Sequence, residues 1–315
     1  MKCIDYKISI LMSVYNEKKK EVELALNSIL KQSFKNFEFI IIVDLPGNQE
    51  IIELINEYKK NDKRVKVIIN EKNEGLANSL NKGLAVASGE YIARMDADDI
   101  AEKDRLKIQL DYLEERKNEI FLVGSSGIKI NEQNVEIGKV IVPIGSSKIK
   151  KTLKYRCCLL HPSIMFDKKI LDRVKGYRNF PCAQDYDFYL RIMDAGYKIE
   201  NIDKPLMRYR VRENAISVKK RLFQILLAEY IQRLAKERKQ NNGEDSFSEK
   251  NIVEIEKIYK KENLKFEKIN ALVLRNKNNK IKLSFILPLV YFSSKYYRKE
   301  IHNRIKIFLS TFLFK

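Results

Sequence analysis

The sequence predicts an α/β protein: a mostly parallel sheet flanked by helices, followed by a C-terminal helical extension. Three observations carry this. Over the first 116 residues, apolar strand-like runs alternate with amphipathic helical runs, a pattern that suits a parallel sheet covered on both faces. Polar residues (Asn16, Asp44, Asp96) close three of those strands, at the edge where such sheets bind ligands. From about Lys219, lysines and arginines punctuate long apolar runs, and no further strand is expected.

Residues 8–14, 37–43, 65–69 and 91–95 are apolar and read as buried strands. Residues 21–31 place Val22, Leu24, Ala25, Ile29 and Leu30 at helical spacing, and 50–61 and 76–87 follow suit. Pro46-Gly47-Asn48 and Asn73-Glu74-Gly75 supply the turns. A helix over 101–116 is expected next, amphipathic over 106–115. Residues 120–124, 127–130 and 139–143 then read as short antiparallel strands because the connections are short. Gln184-Asp185-Tyr186-Asp187 opens a helix that Gly196 stops. Helices are expected over 222–237 and 252–261 with a polar linker at 240–248, and apolar, aromatic stretches over 281–294 and 301–314.

Met95-Asp96-Ala97-Asp98-Asp99 is the densest concentration of chemistry in the chain. Three carboxylates in four positions repel one another unless a cation or water compensates them. At a strand end, residues two apart point the same way, so Asp96 and Asp98 can converge on one hard divalent ion with oxygen ligands. The competing role for Asp98 and Asp99 is to cap the helix that follows.

Composition narrows the field. The 315 residues suit one large domain plus an appendage. The net charge of +19 admits nucleic acid, an anionic membrane or an acidic substrate as partner. The N-terminal half mixes signs and the basic residues gather C-terminally among apolar runs. That favours a membrane face over a nucleic-acid groove, and no zinc-finger or RNA-recognition signature is present. Cys3, Cys157, Cys158 and Cys182 match no metal or redox spacing and are expected as reduced thiols. With only His161 and His302, a histidine-rich metal site is excluded. The first strand turn, Tyr15-Asn16-Glu17-Lys18, lacks a dinucleotide glycine pattern, and no Walker A sequence exists. The N-terminal apolar run is too short for a signal peptide, and no segment reaches the roughly 18 apolar residues of a membrane span. A cytoplasmic protein is expected.

Taken in order, Ser13-Val14-Tyr15-Asn16-Glu17, Asp44, Gly75-Leu76-Ala77, the run from Ala87 to Asp99, Gln184-Asp185-Tyr186-Asp187 and Tyr209-Arg210-Val211 resemble the family 2 glycosyltransferases of the GT-A fold. The resemblance covers about residues 7–218, leaving 219–315 as a basic, amphipathic helical region. It is strongest to bacterial enzymes that build capsular, exopolysaccharide and lipopolysaccharide chains. It implies an inverting transfer of one sugar from a nucleotide-diphosphate donor, a UDP-sugar in the first instance, to a glycan acceptor carried on lipid at the inner face of the cell membrane. It also implies Mn²⁺ or Mg²⁺ on Asp96 and Asp98, a nucleotide pocket lined by Val14, Tyr15, Asn16, Glu17, Asp44, Asp96 and Ala97, and Asp185 as catalytic base. Asp99, His161, Gln184 and Arg210 are the further candidates for donor-sugar or acceptor contacts.

The chain departs from the family at two places. Asp44-Leu45-Pro46-Gly47 stands where a second aspartate is common, and Gln184 replaces the glutamate before the base, removing a negative charge that would raise the pKa of Asp185. The Gln-x-x-Arg-Trp of processive members is absent, which points to one sugar per encounter. Each candidate also has a plainer role: Asp185 as a helix cap, Asp187 as structural or as an acceptor contact, His161 as a core histidine. Arg208, Arg210 and Arg212 are a diphosphate clamp or a solvated basic strand, and Arg94 packs beneath the acidic cluster or pairs with it. Two other function classes remain open. A nucleotidyltransferase would want a Gly-rich basic loop after the first strand, and a non-catalytic sugar-binding scaffold would tolerate the altered turn after Asp44.

Overall fold

Apolar runs buried on both faces need cover on both sides, and the first half of the chain supplies it. The structure, a computed structural model, describes residues 5–212, 220–276 and 279–312. Cys3, the boundary expected at 218/219, and Lys277, Phe314 and Lys315 lie outside the described residues. The chain divides into two compact units, residues 1–150 with 158–213, and residues 151–157 with 214–315.

In the first unit, β1 (Ile8–Val14), β2 (Phe37–Val43), β3 (Val65–Ile69) and β4 (Tyr91–Asp96) pair in parallel in the order β3-β2-β1-β4. Ile10 lies opposite both Phe39 and Ala93. The crossovers are α1 (Lys19–Leu30), α2 (Gln49–Asn61) and α3 (Leu76–Val86). The helices bury Val22, Leu26, Ile29, Ile51 and Ile55 in the same core as Ile8, Met12, Phe37 and Phe39. β2 is buried throughout, Glu38 included. Burial opposes that charge, yet Lys66 at 2.5 Å, Ser9 and Ser88 hold its carboxyl below the ordinary value.

The sheet continues past β4 with β5 (Ile100–Ala101), β6 (Ile120–Ile130), β7 (Glu136–Val140), β8 (Met165–Asp167) and β9 (Lys198–Arg210), in the order β4-β8-β6-β9-β5 with β7 on β6. Helices α4 (Arg105–Glu115), α5 (Ser146–Leu153), α6 (Leu171–Val174) and α7 (Gln184–Asp194) connect them. One expectation changes here. Residues 120–130 form one strand rather than two, and it also pairs in parallel with the long β9, a strand not expected at this length from the sequence. The glycines that suggested a turn mark close approaches instead. A Cβ on Gly124 would meet Asn201 Oδ1 at 2.4 Å, and one on Gly127 would meet Leu160 Cδ2 at 2.9 Å. The antiparallel pairing of β7 with β6 agrees with the sequence.

The second unit is helical where described: α8 (Arg221–Gln240), α9 (Glu249–Arg275), α10 (Lys280–Ser293) and α11 (Lys295–Phe312). The polar linker falls between α8 and α9 as expected, with Ser248 capping α9. α9 outruns the expected 252–261 at both ends. Leu222, Leu226, Phe266, Val290, Tyr296 and Tyr297 form its core, where Phe266 and Tyr297 stack with centroids 5.4 Å apart. Arg221 ties the helices by bonding Asn270 at 2.6 Å and Glu300 at 2.9 Å.

Candidate active site

Parallel strands deliver their C-terminal ends to one edge, so Val14, Asp44 and Asp96 arrive together by topology. Asp44 is buried, and its backbone N–H donates to Val14 O at 2.7 Å. Its Oδ1 accepts from Asn70 Nδ2 at 2.7 Å and Glu74 N at 2.8 Å, and its Oδ2 from Gly75 N at 2.9 Å. The carboxylate therefore fastens the turn before α3, where Gly75 takes a φ of 84° that favours glycine. In the first-strand turn, Tyr15 and Asn16 are exposed. Glu17 Oε2 accepts from Tyr15 N at 2.7 Å, and burial, helped by the charges of Asp98 and Asp96, pushes its carboxyl up to about 7.

Asp96, Asp98 and Asp99 present carboxylate oxygens within 4.8 Å of one another, with Ala97 buried between them. Arg94, itself buried, donates to Asp96 Oδ1. Asp98 faces Arg212 Nη2 at 3.0 Å. Burial, then the neighbouring Asp96, pushes the Asp98 carboxyl up to about 6. Asp99 is fully enclosed. Its Oδ1 accepts from Arg210 N at 2.8 Å, and its Oδ2 has no hydrogen-bond partner among the described residues. Burial, Asp96 and Asp98 raise its pKa well above the ordinary value. Neither Asp98 nor Asp99 caps the next helix, because α4 begins at Arg105 with Asp104 before it. Gathered carboxylates, a buried orphan oxygen and raised proton affinity fit a hard divalent cation.

Cations brace this cluster from beneath. Arg105 is buried without a carboxylate partner among the described residues. It donates to Arg94 O at 2.6 Å, Gln109 Oε1 at 2.9 Å and Met207 Sδ at 3.1 Å, and burial, then Arg94, pushes it down to about 9. Nothing in its helical pattern marked it beforehand. The three strand arginines divide. Arg208 pairs with Glu102 at 3.0 Å and Glu136 at 3.2 Å. Arg210 is buried and donates to Asp98 O at 2.8 Å, Asn131 O at 2.8 Å and Asn134 Oδ1 at 2.7 Å, which removes the solvated-strand reading for it. Arg212 bridges Asp98 and Glu21 Oε2, the latter at 2.7 Å.

Asp185 is the second residue of α7, after buried Gln184. Ala183, with a φ of 63°, holds the capping position, so Asp185 is not the cap. Asp187 is structural, fully buried against Arg191 Nε at 2.7 Å and Arg178 at 3.7 Å. His161 is buried with Nε2 at 3.0 Å from the Tyr177 hydroxyl, and burial, then Arg94, keeps it neutral. Tyr177, given no role by the sequence, links the two halves of the site. Burial raises its pKa, Arg94 opposes, and the charges of Asp185 and Asp96 both act on it.

Comparison with known proteins identifies the family. The Glycosyl transferase family 2 profile matches residues 9–175. An uncharacterized glycosyltransferase of Methanocaldococcus jannaschii (MJ1057) is 38% identical over 215 residues, covering 67% of this chain and 73% of that one. The O-antigen biosynthesis glycosyltransferase WbnJ of Escherichia coli is 32% identical over 210 residues, covering 66% and 81%. The mannosyltransferase PcManGT of Pyrobaculum calidifontis, solved with GDP-Man and Mn²⁺, superposes with a TM-score of 0.59 over 97% of this chain and 86% of that one, at 13% identity. The fold is therefore GT-A, and this chain belongs to glycosyl transferase family 2.

Proposed function

We propose that this glycosyltransferase is inverting and metal-dependent. It moves one sugar from a nucleotide-diphosphate donor, a UDP-sugar in the first instance, to a hydroxyl of a lipid-linked glycan in cell-surface polysaccharide biosynthesis. Residues 1–218 act as the catalytic domain, and residues 219–315 hold it at the inner face of the cell membrane. The observation that carries the reading is the carboxylate trio at the end of β4, with one buried oxygen left for a ligand.

Asp96 and Asp98 would hold Mn²⁺ or Mg²⁺, which neutralises charge developing on a leaving diphosphate. The chain's own residues do the rest. Val14 to Glu17 line the nucleotide side, and Asp44 acts there through the turn that it fastens. Arg212 lies on Asp98 itself, so it is the guanidinium best placed to meet a diphosphate there. Asp99, enclosed beneath the other two carboxylates, holds Arg210 in place rather than meeting the sugar. Asp185 takes the proton of the attacking hydroxyl, and Gln184 beside it adds no second negative charge. Attack opposite the leaving group inverts the anomeric centre.

The test is nucleotide release from a panel of UDP-, GDP- and dTDP-sugars with Mn²⁺ or Mg²⁺, with and without EDTA, by the wild type and Asp98→Ala. Metal-dependent release from one donor, lost in the variant, supports the proposal and names the nucleotide. Nucleotide binding without turnover points to acceptor gating. Failure to bind any nucleotide overturns the proposal in favour of a non-catalytic scaffold.

A further inference from the structure

Three residues of α10 are large, apolar and turned to solvent. Phe285 is 73% exposed, Leu289 67% and Phe292 76%. Their spacing of four and then three puts them on one stripe of the helix. Ile286 and Val290 turn the other way into the core of the unit, so the stripe is an outer face rather than a misfitted inner one. α11 repeats the arrangement. Ile305, Phe308 and Leu309 form a second stripe, each at least 40% exposed, and exposed Arg304 and Lys306 flank it on either side. Apolar surface of this kind is rare on a face meant only for water.

The charge says what covers it. Residues 276–312 carry eight lysines and arginines against one carboxylate of their own, Glu300, which Arg221 and Arg304 engage, while Lys295 and Lys299 reach Glu262 and Glu229 on neighbouring helices. A second copy laid on this face would bring like charges together, since Lys282, Arg298, Arg304 and Lys306 outnumber the face's own Glu300. A bilayer with anionic headgroups meets both requirements, since the apolar stripe enters the headgroup boundary while the cations meet phosphate. Spanning is not at issue, because no helix of the described residues is long and apolar enough to cross a membrane. We infer that α10 and α11 form an interfacial docking face for anionic lipid, with Phe285, Leu289 and Phe292 as the inserted residues. This deepens the membrane part of the proposal above and rests on it.

The sequence contains no tryptophan, so Phe292→Trp in the full chain creates a single fluorescent reporter at the most exposed point of the stripe. The probe is titrated with vesicles of phosphatidylcholine alone and with about one-third phosphatidylglycerol. A blue shift is expected with the anionic vesicles, with affinity at least ~10-fold above that for the neutral ones, since each basic residue near the surface contributes ~5-fold. Adding Phe285→Ser and Leu289→Ser is expected to weaken binding ~10-fold or more. No shift, equal affinity for both vesicles, or a blue-shifted emission that tracks a concentration-dependent dimer without vesicles would each overturn the inference. Nucleotide release by the same variants separates the two proposals. Lost vesicle binding with release intact is the result this inference expects of the serine variants, whereas lost release with vesicle binding intact counts against the transferase reading alone.

Discussion

The two units of this chain differ in where they concentrate buried charge and apolar surface, although the second also encloses the Arg238–Asp245 pair and the first exposes Ile141. In the first, charge is buried and tied: Glu38, Asp44, Asp99, Asp187, Arg105 and Arg210 all lie inside with specific partners. In the second, large apolar side chains stand in solvent and most cations lie at the surface beside them. Buried charge demands complete, rigid satisfaction, which suits a site that must place a reacting centre to a fraction of an ångström. Exposed apolar stripes tolerate imprecision, which suits a soft partner.

The largest effect is expected at the proposed base. Asp185→Asn is expected to lower acceptor-stimulated turnover about 10²–10⁴-fold with donor affinity nearly unchanged, measured as kcat and KM for nucleotide release. Two phenylalanines then form a matched pair. Phe39→Ala, in the fully buried β2, should cost about 3–5 kcal/mol of stability in a denaturant titration. Phe285→Ala at the other extreme should cost less than about 0.5 kcal/mol. Between them lies Asp44→Asn, which swaps one acceptor oxygen for a donor facing backbone N–H groups. It is expected to destabilise by about 1–3 kcal/mol and to loosen the turn before α3, read by hydrogen exchange at Glu74 and Gly75.

The acidic site of the first unit is also linked to protons. The carboxyls of Asp98 and Glu17 sit at about 6 and about 7 in the metal-free protein, so a divalent ion at the trio displaces protons. Mn²⁺ affinity should therefore rise with pH between about 5.5 and 7.5, by about tenfold per unit where one proton is lost. Calorimetry in buffers of different ionisation enthalpy checks the sign.

The early strands were legible because continuous apolar runs have one common explanation in an alternating fold, and the acidic trio because three carboxylates in four positions demand compensation. The β6–β9 ladder was not. Gly124 and Gly127 signal a turn by composition, whereas here they admit Asn201 and Leu160, residues distant in sequence. β9 itself reads as polar, with Glu200, Asp203, Lys204 and Pro205 in its length, since its strand character comes from its partners. Sequence could not choose between capping and ligand roles for Asp98 and Asp99, because the choice turned on where α4 begins. It named Arg210 and Arg212 but not their different fates, which depend on how Asn131, Asn134 and Glu21 are arranged in space.

That ladder also orders events in time. It pairs Ile120 with Lys198 and Ile130 with Arg210, closing a long loop whose entropy must be met before any contact returns it. Asp98 and Asp99 leave the ribosome more than about a hundred residues ahead of Arg210 and Arg212, the groups that compensate them. A nascent or half-folded chain therefore carries the acidic trio without its basic clamp, and the site becomes competent only when the last strand of the sheet zips into place.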